Sequence, residues 1–160
     1  MFALFRALTY ATLFIGLLLV FVPQRILEAA GIQQPVRIGP IEVAGLVIFA
    51  AGAILALWSV LSFALLGRGT PAPFDPPRTL VVAGPYRWVR NPMYMGAGLV
   101  LLGAAMFYQS IGLVLYAVAF WSAAHLFVLF YEEPALRRRF GADYEEYTRS
   151  RRRWMPRWRS

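Results

Sequence analysis

The sequence predicts an all-α fold, an integral membrane bundle of about four transmembrane helices plus a C-terminal amphipathic cytoplasmic helix. Hydrophobic residues make up 59% of the 160-residue chain, and charged residues only 15%. The apolar residues form four long runs, each near the ~20 residues that a spanning helix needs. Charged residues collect between the runs and above all at the C-terminus, as is usual for membrane proteins.

The four runs cover residues 2–22, 41–66, 93–108 and 111–131. We interpret the first as a span rather than a secretory signal, because no small-residue cleavage site follows it. Pro134 is expected to end the fourth span, since proline disfavours the helical region for the residue before it. Proline also suits a first helical turn, so residues 135–149 are predicted to form the amphipathic helix.

The chain divides into two parts within a single compact domain. Residues 1–66 are predicted to be a two-helix packing region, in which Gly45 and Gly52 would let helices approach closely. Residues 67–160 are predicted to bind a cofactor. This second part begins at 67–77, where four prolines exclude a helix.

All 16 basic residues are arginine, and nine of them lie in residues 137–159. The positive-inside rule therefore predicts a cytoplasmic C-terminus. The expected location is a bacterial inner membrane, with the cofactor site on the cytoplasmic side. The formal net charge is +8, but arginines beside a span typically contact anionic lipid headgroups, so we expect membrane lipids and no nucleic acid as partners. With no cysteine and one histidine, no metal site is expected. The sequence gives no prediction of oligomeric state.

Two adjacent carboxylates, Glu132 and Glu133, stand where the fourth apolar run ends. A helix C-terminus already carries partial negative charge, so this pair needs a compensating cation. Residues 108–110 are a connection too short for anything but an antiparallel hairpin. The pair must therefore lie near the start of the third span.

The start of the third span favours anions. Asn91 suits the helix N-cap and Pro92 the first turn, and Arg90 adds positive charge to the amide groups there. His125 precedes Glu132 by seven residues, so on a regular α-helix it shares that face about 10 Å deeper. A small ligand that carries both a negative and a positive charge would fit between this positive end of the third span and the Glu132–Glu133 pair.

Plainer interpretations remain open for each residue. Glu133 and Arg137 have the spacing of a helix-surface ion pair. Arg87 and Arg90 could anchor the chain at the membrane interface. Gly96 and Gly98 could serve helix packing, and His125 could form an interhelical hydrogen bond.

Three motifs in a fixed order resemble the integral-membrane methyltransferases. They are Gly84-Pro85-Tyr86-Arg87, then Arg90-Asn91-Pro92-Met93-Tyr94-x-Gly96, then Tyr131-Glu132-Glu133-Pro134-x-Leu136-x-x-x-Phe140-Gly141-x-x-Tyr144-x-x-Tyr147. The resemblance covers residues 79–157 and is to bacterial-type members. That superfamily includes isoprenylcysteine carboxyl methyltransferases and phospholipid N-methyltransferases.

The resemblance implies S-adenosylmethionine as cofactor and a lipophilic acceptor, either an isoprenylcysteine-like carboxylate or a phospholipid amine. Asn91 stands where the isoprenylcysteine branch typically has histidine, so the acceptor stays open. Arg90 and Glu133 are the expected catalytic residues. Arg90 would orient a carboxylate, and if the acceptor is an amine, Glu133 or His125 could accept its proton. The expected cofactor contacts are Tyr86, Arg87, Arg90, Asn91, Pro92, Tyr94, Gly96, Gly98, His125, Glu132 and Glu133.

Two other functions fit the same sequence. Membrane sterol reductases have a similar C-terminal half and use NADPH, although they are usually much longer. A non-catalytic membrane adaptor would use the arginine-rich tail to bind anionic lipid, and would not depend on Glu132 or Glu133.

Overall fold

The computed structural model describes residues 14–33, 35, 37–66 and 79–156. The start of the predicted first span and the proline-rich segment 67–77 lie outside them. The described helices are α1 (Val22–Ala29), α2 (Pro40–Leu66), α3 (Pro92–Phe107), α4 (Ile111–Phe127), α5 (Glu133–Phe140) and α6 (Ala142–Ser150). A 3₁₀ turn covers Gly84–Arg87, and π-helical turns cover Gly16–Phe21 and Val128–Glu132.

The structure confirms an all-α bundle with membrane character. Helix α2 and the continuous helix Ile111–Phe140 are long and apolar enough to cross a membrane, and α3 is a shorter apolar helix. Large apolar side chains such as Ile54 and Leu115 are exposed on the outer faces of these helices. Lipid is the environment in which such faces cost least.

Helices α2 and α3 cross closely because glycines face each other at two levels. A Cβ added to Gly52 would lie 2.7 Å from the carbonyl oxygen of Gly96, and one added to Gly45 would lie 2.8 Å from that of Gly103. Each helix repeats its glycine after seven residues, so both crossing points fall on one face. The predicted packing role of Gly45 and Gly52 matches this geometry, which fixes the start of α3 against α2.

Both π-helical turns precede a proline by the same spacing. The N–H of Val22 donates to the carbonyl of Leu17 before Pro23, and the N–H of Glu133 donates to that of Val128 before Pro134. A proline in a helix lacks the N–H and crowds the preceding turn, and widening that turn removes the clash. Near the first proline, the Tyr116 hydroxyl donates to the Leu18 carbonyl at 3.0 Å.

These turns correct two predicted boundaries. The first helix continues past residue 22 to Ala29, and Pro134 does not end the fourth span, because α4, the π turn and α5 form one helix to Phe140. The predicted helix 135–149 is instead divided at Gly141, whose φ of 52° is a left-handed conformation. Glycine adopts it without steric cost.

The hairpin between α3 and α4 has the predicted form. Helix α3 ends at Phe107 and α4 begins at Ile111, where the Ser110 hydroxyl accepts a hydrogen bond from the Leu113 N–H at 3.3 Å. The N-terminus of α3 and the C-terminal end of the long helix therefore meet at one end of the bundle.

We predict that Gly52→Ala destabilises the protein by about 1–3 kcal/mol, because the new methyl group would overlap the α3 backbone. In an open helix the same substitution would be favourable by about 1 kcal/mol. Unfolding in detergent measures the difference. Gly16→Ala is the matched control, since no heavy atom lies within 4 Å of the position that its new methyl group would occupy. Equal effects of the two substitutions would contradict the close crossing.

Candidate active site

Glu133 is the centre of a buried ion cluster. Its Oε1 accepts from Arg153 Nε at 2.7 Å and lies 3.2 Å from Arg90 Nη2, and its Oε2 accepts from Arg153 Nη2 at 3.0 Å. The side chain of Glu133 is 5% exposed and that of Arg90 11%. A carboxylate so buried requires paired charge, and these two arginines supply it.

Arg90 keeps two buried donors unused. Its Nε and Nη1 are buried and have no hydrogen-bond partner among the described residues. Leaving a buried charged donor unsatisfied is costly, so such atoms call for an explanation in terms of a ligand or water. The two atoms lie on a guanidinium already fixed by Glu133, so they present a preformed site for an anionic group.

Glu132 differs from its neighbour in its partners. It accepts a hydrogen bond from the Tyr94 hydroxyl at 3.1 Å, and no cation lies within ion-pair distance of it in the described part of the chain. Tyr94 belongs to α3 and packs against the core around Leu101. The hairpin thus brings to one end of the bundle a carboxylate without a cation among the described residues and an arginine with two unpartnered donors.

The π turn changes which carboxylate shares a face with His125. On a regular α-helix this would be Glu132, as predicted from the seven-residue spacing. One extra residue in the turn rotates the following residues by about 100°, which moves Glu133 onto that face instead. Arg153 and Trp154 reflect this register: adjacent in sequence, they bind Glu133 and His125 respectively.

Residues 151–156, which we call the C-terminal segment, fold back across this end of the bundle. The Arg90 N–H donates to the Arg152 carbonyl at 3.0 Å, and Asn91 Nδ2 donates to the Arg153 carbonyl at 3.2 Å. Trp154 Nε1 donates to His125 Nδ1 at 3.1 Å, and its ring lies 5.0 Å from that of Trp121. The segment is therefore held at the start of α3 and on α4.

Two buried tyrosines of α6 lie near Arg90, and one of them, Tyr147, supports the loop that carries it. The Tyr147 hydroxyl donates to the Tyr86 carbonyl at 2.7 Å. Burial and the nearby Glu133 carboxylate raise the pKa of Tyr144 to about 12. The Arg90 guanidinium opposes the shift because it is close to the Tyr144 hydroxyl, although Arg90 Nε and Nη1 make no hydrogen bond to it. Burial likewise raises the pKa of Tyr147, so both hydroxyls stay protonated at neutral pH and can donate.

Some predicted contacts lie away from the cluster. The Arg87 guanidinium is 5.1 Å from the centroid of the Trp88 ring, on an exposed surface. The space beside Gly96 is filled by the backbone of α2, and that beside Gly98 by the Trp121 indole. These glycines serve helix packing and side-chain packing, which was the plainer interpretation of both.

Two further expectations are corrected by the contacts. Arg137 pairs with Glu145 at 3.0 Å and is not the partner of Glu133. Asn91 occupies the N-cap position but does not cap the helix with its side chain, because its amide binds the C-terminal segment. The site residues that do converge are Tyr86, Arg90, Asn91, Pro92, Tyr94, His125, Glu132 and Glu133.

Sequence reasoning missed Arg153, Trp154 and Trp121. The sequence indicates only a lipid-binding charge for the arginine-rich tail, because Arg153 has five other arginines of the tail close to it in sequence. The available signal was Trp154. A tail that only needs to be charged and solvated has no need of a large aromatic side chain.

The structure defines the class of protein: a helical membrane bundle with a charged cluster at one end of its last hairpin. The family model for phospholipid methyltransferase matches residues 41–143, more than half of the chain. The chain belongs to the phospholipid methyltransferase family, which confirms the resemblance to integral-membrane methyltransferases. Comparisons with curated proteins and with solved structures gave no significant match.

We predict that Tyr147→Phe destabilises the protein by about 1–3 kcal/mol, because the Tyr86 carbonyl would lose its buried donor. Thermal unfolding in detergent measures this. Tyr108→Phe, which removes the same atom from a partly buried ring at the other end of α3, should change stability by less than about 0.5 kcal/mol. A Tyr147→Phe protein as stable as the wild type would show that the hydroxyl does not hold the loop.

Proposed function

We propose that the protein transfers a methyl group from S-adenosylmethionine to a lipophilic acceptor reached from the bilayer. One observation carries the proposal, and it concerns the described residues of a chain that belongs to a methyltransferase family. Arg90, which is buried, has two donors without a partner there, and Glu132, which precedes its ion-pair partner Glu133, has no cation within ion-pair distance. S-adenosylmethionine carries a carboxylate, an ammonium and a sulfonium, so its charges complement both groups.

Arg90 would bind the donor's carboxylate. Its Nε and Nη1 are the donors left over after Nη2 has engaged Glu133. The amide groups at the N-terminus of α3 add partial positive charge at the same place. Because Glu133 and the C-terminal segment fix the arginine beforehand, little side-chain entropy is lost on binding.

Glu132 would bind the cationic or hydroxyl groups of the donor. Its Oε2 accepts from Tyr94, and Oε1 has no partner among the residues that the structure describes. Glu133 is unsuited to this role because both of its oxygens already accept from arginines. We therefore assign the ligand-facing role to Glu132 and a structural role to Glu133, which the sequence had predicted as a catalytic residue.

Methyl transfer needs alignment of the reactants more than acid–base chemistry. S-adenosylmethionine supplies an electrophilic methyl group, and as the acceptor's lone pair bonds to that carbon, the carbon–sulfur bond breaks and S-adenosylhomocysteine leaves as a neutral thioether. The protein's contribution is to hold the two in line and exclude water. The exposed apolar side chains of Leu126, Leu129 and Phe130 would let a lipid approach the site from the membrane.

The family favours a phospholipid amine as the acceptor. An ammonium headgroup must lose a proton before it can attack, and Glu133 is poorly suited to accept that proton because two guanidinium groups hold it. An isoprenylcysteine-like carboxylate would need no base. The arginine-rich C-terminal part suits a cytoplasmic location, where the donor is made available.

We predict that the detergent-purified protein binds S-adenosylmethionine in calorimetry and that Glu132→Gln weakens binding at least about tenfold, because a charge-assisted contact is lost. Glu146→Gln is the matched control, since Glu146 is an exposed carboxylate of α6. NADPH should give no heat. A folded wild type that binds NADPH and not S-adenosylmethionine would favour the reductase alternative, and one that binds neither would favour the adaptor.

The acceptor can be identified with a methyl-labelled donor and membranes that contain the protein. We predict that the labelled methyl group is found in a phospholipid headgroup. Mild alkali should not release it, because a carbon–nitrogen bond to a methyl group is not hydrolysed. A methyl ester would release its label as volatile methanol under the same treatment. Alkali-labile label would therefore contradict the amine and indicate a carboxylate acceptor.

A further inference from the structure

We propose that Arg153 is a positioning residue of the methyl-donor site: by occupying both oxygens of Glu133, it keeps two N–H groups of Arg90 free for the donor's carboxylate. The inference rests on the proposed function and assigns a role within it to the C-terminal segment. Arg153 itself would touch no substrate. It would act on the ligand only through Glu133 and Arg90.

The geometry of Glu133 shows how Arg153 and Arg90 compete for its two oxygens. Arg153 binds the carboxylate with two nitrogens, at 2.7 Å and 3.0 Å, whereas Arg90 reaches only Oε1, with one nitrogen at 3.2 Å. A carboxylate and a guanidinium prefer to pair through two parallel hydrogen bonds. Since Arg153 takes that arrangement, Arg90 is restricted to a single contact.

Removing the Arg153 side chain would release this restriction. Glu133 Oε2 would lose its donor, and the nearest remaining guanidinium is that of Arg90. Glu133 would then bind Arg90 through two nitrogens, which uses up a donor that is free in the wild type. Recognition of the donor's carboxylate should therefore weaken, even though Arg90 is unchanged.

The C-terminal segment has other anchors, so loss of this side chain should leave it docked. The Arg152 carbonyl accepts from the Arg90 N–H, and the Arg153 carbonyl accepts from Asn91, both through the backbone of the segment. Trp154 binds His125 independently. An Arg153→Gln protein keeps all three contacts, and we expect it to fold.

The test compares S-adenosylmethionine with its decarboxylated analogue, which lacks only the carboxylate. We expect the wild type to prefer S-adenosylmethionine by at least about tenfold, and Arg90→Gln to bind both ligands alike. Arg153→Gln should lose most of this preference while binding the decarboxylated analogue within about threefold of the wild type. Arg138→Gln, which removes an exposed arginine of α5, is the matched control and should keep the wild-type preference.

Each outcome decides the question. Failure of the folded wild type to bind either ligand would overturn the proposed function and this inference with it. A wild type that discriminates, together with an Arg153→Gln protein that discriminates equally, would overturn only the inference. Equal weakening of both ligands would also overturn it, because that is the effect of general structural damage.

If thermal unfolding shows that Arg153→Gln does not fold, the same binding comparison is made with Arg153→Lys. Lysine restores the charge but cannot form the two-nitrogen contact, so Glu133 would be only partly held. We expect a preference between those of the wild type and Arg90→Gln. A lysine protein with the full wild-type preference would contradict the role of the paired contact.

Discussion

The buried carboxylate of Glu133 is the constraint on which this end of the molecule depends. A charge that is 5% exposed has to be matched by cations in fixed positions, and the chain supplies them from two distant places, the loop before α3 and the C-terminal segment. Three parts of the fold are therefore joined at one residue. Because both arginines bind Glu133, Glu132 is left without a cation among the described residues. The two carboxylates therefore have different roles although they are adjacent in sequence.

The π turn before Pro134 makes that separation possible. It lets the helix continue through the proline, so Glu132 and Glu133 stay on one rigid element with α4. It also shifts the register, so that Glu133 faces the C-terminal segment and Glu132 faces Tyr94. A turn that accommodates a proline thus also orients the site, a use of π turns that recurs at functional sites.

Local patterns were enough to predict much of this structure. The apolar runs indicated the spans, Pro92 marked the start of α3, and the short connection after Phe107 placed the two ends of the hairpin together. Contacts between distant parts of the chain could not be predicted. Nothing in the order of the tail distinguishes Arg153 from its neighbours, and the proline rules favour a helix end at Pro134 unless a π turn widens the helix.

A double-mutant cycle on the Glu133–Arg153 pair tests the central claim most directly. The free energy of unfolding is measured in detergent for the wild type, Glu133→Gln, Arg153→Gln and the double variant. Because the two side chains form a partly buried ion pair with two hydrogen bonds, we predict a coupling energy of about 1–3 kcal/mol. Effects that add to within about 0.5 kcal/mol would contradict the account, since they would show that Arg153 does not hold Glu133.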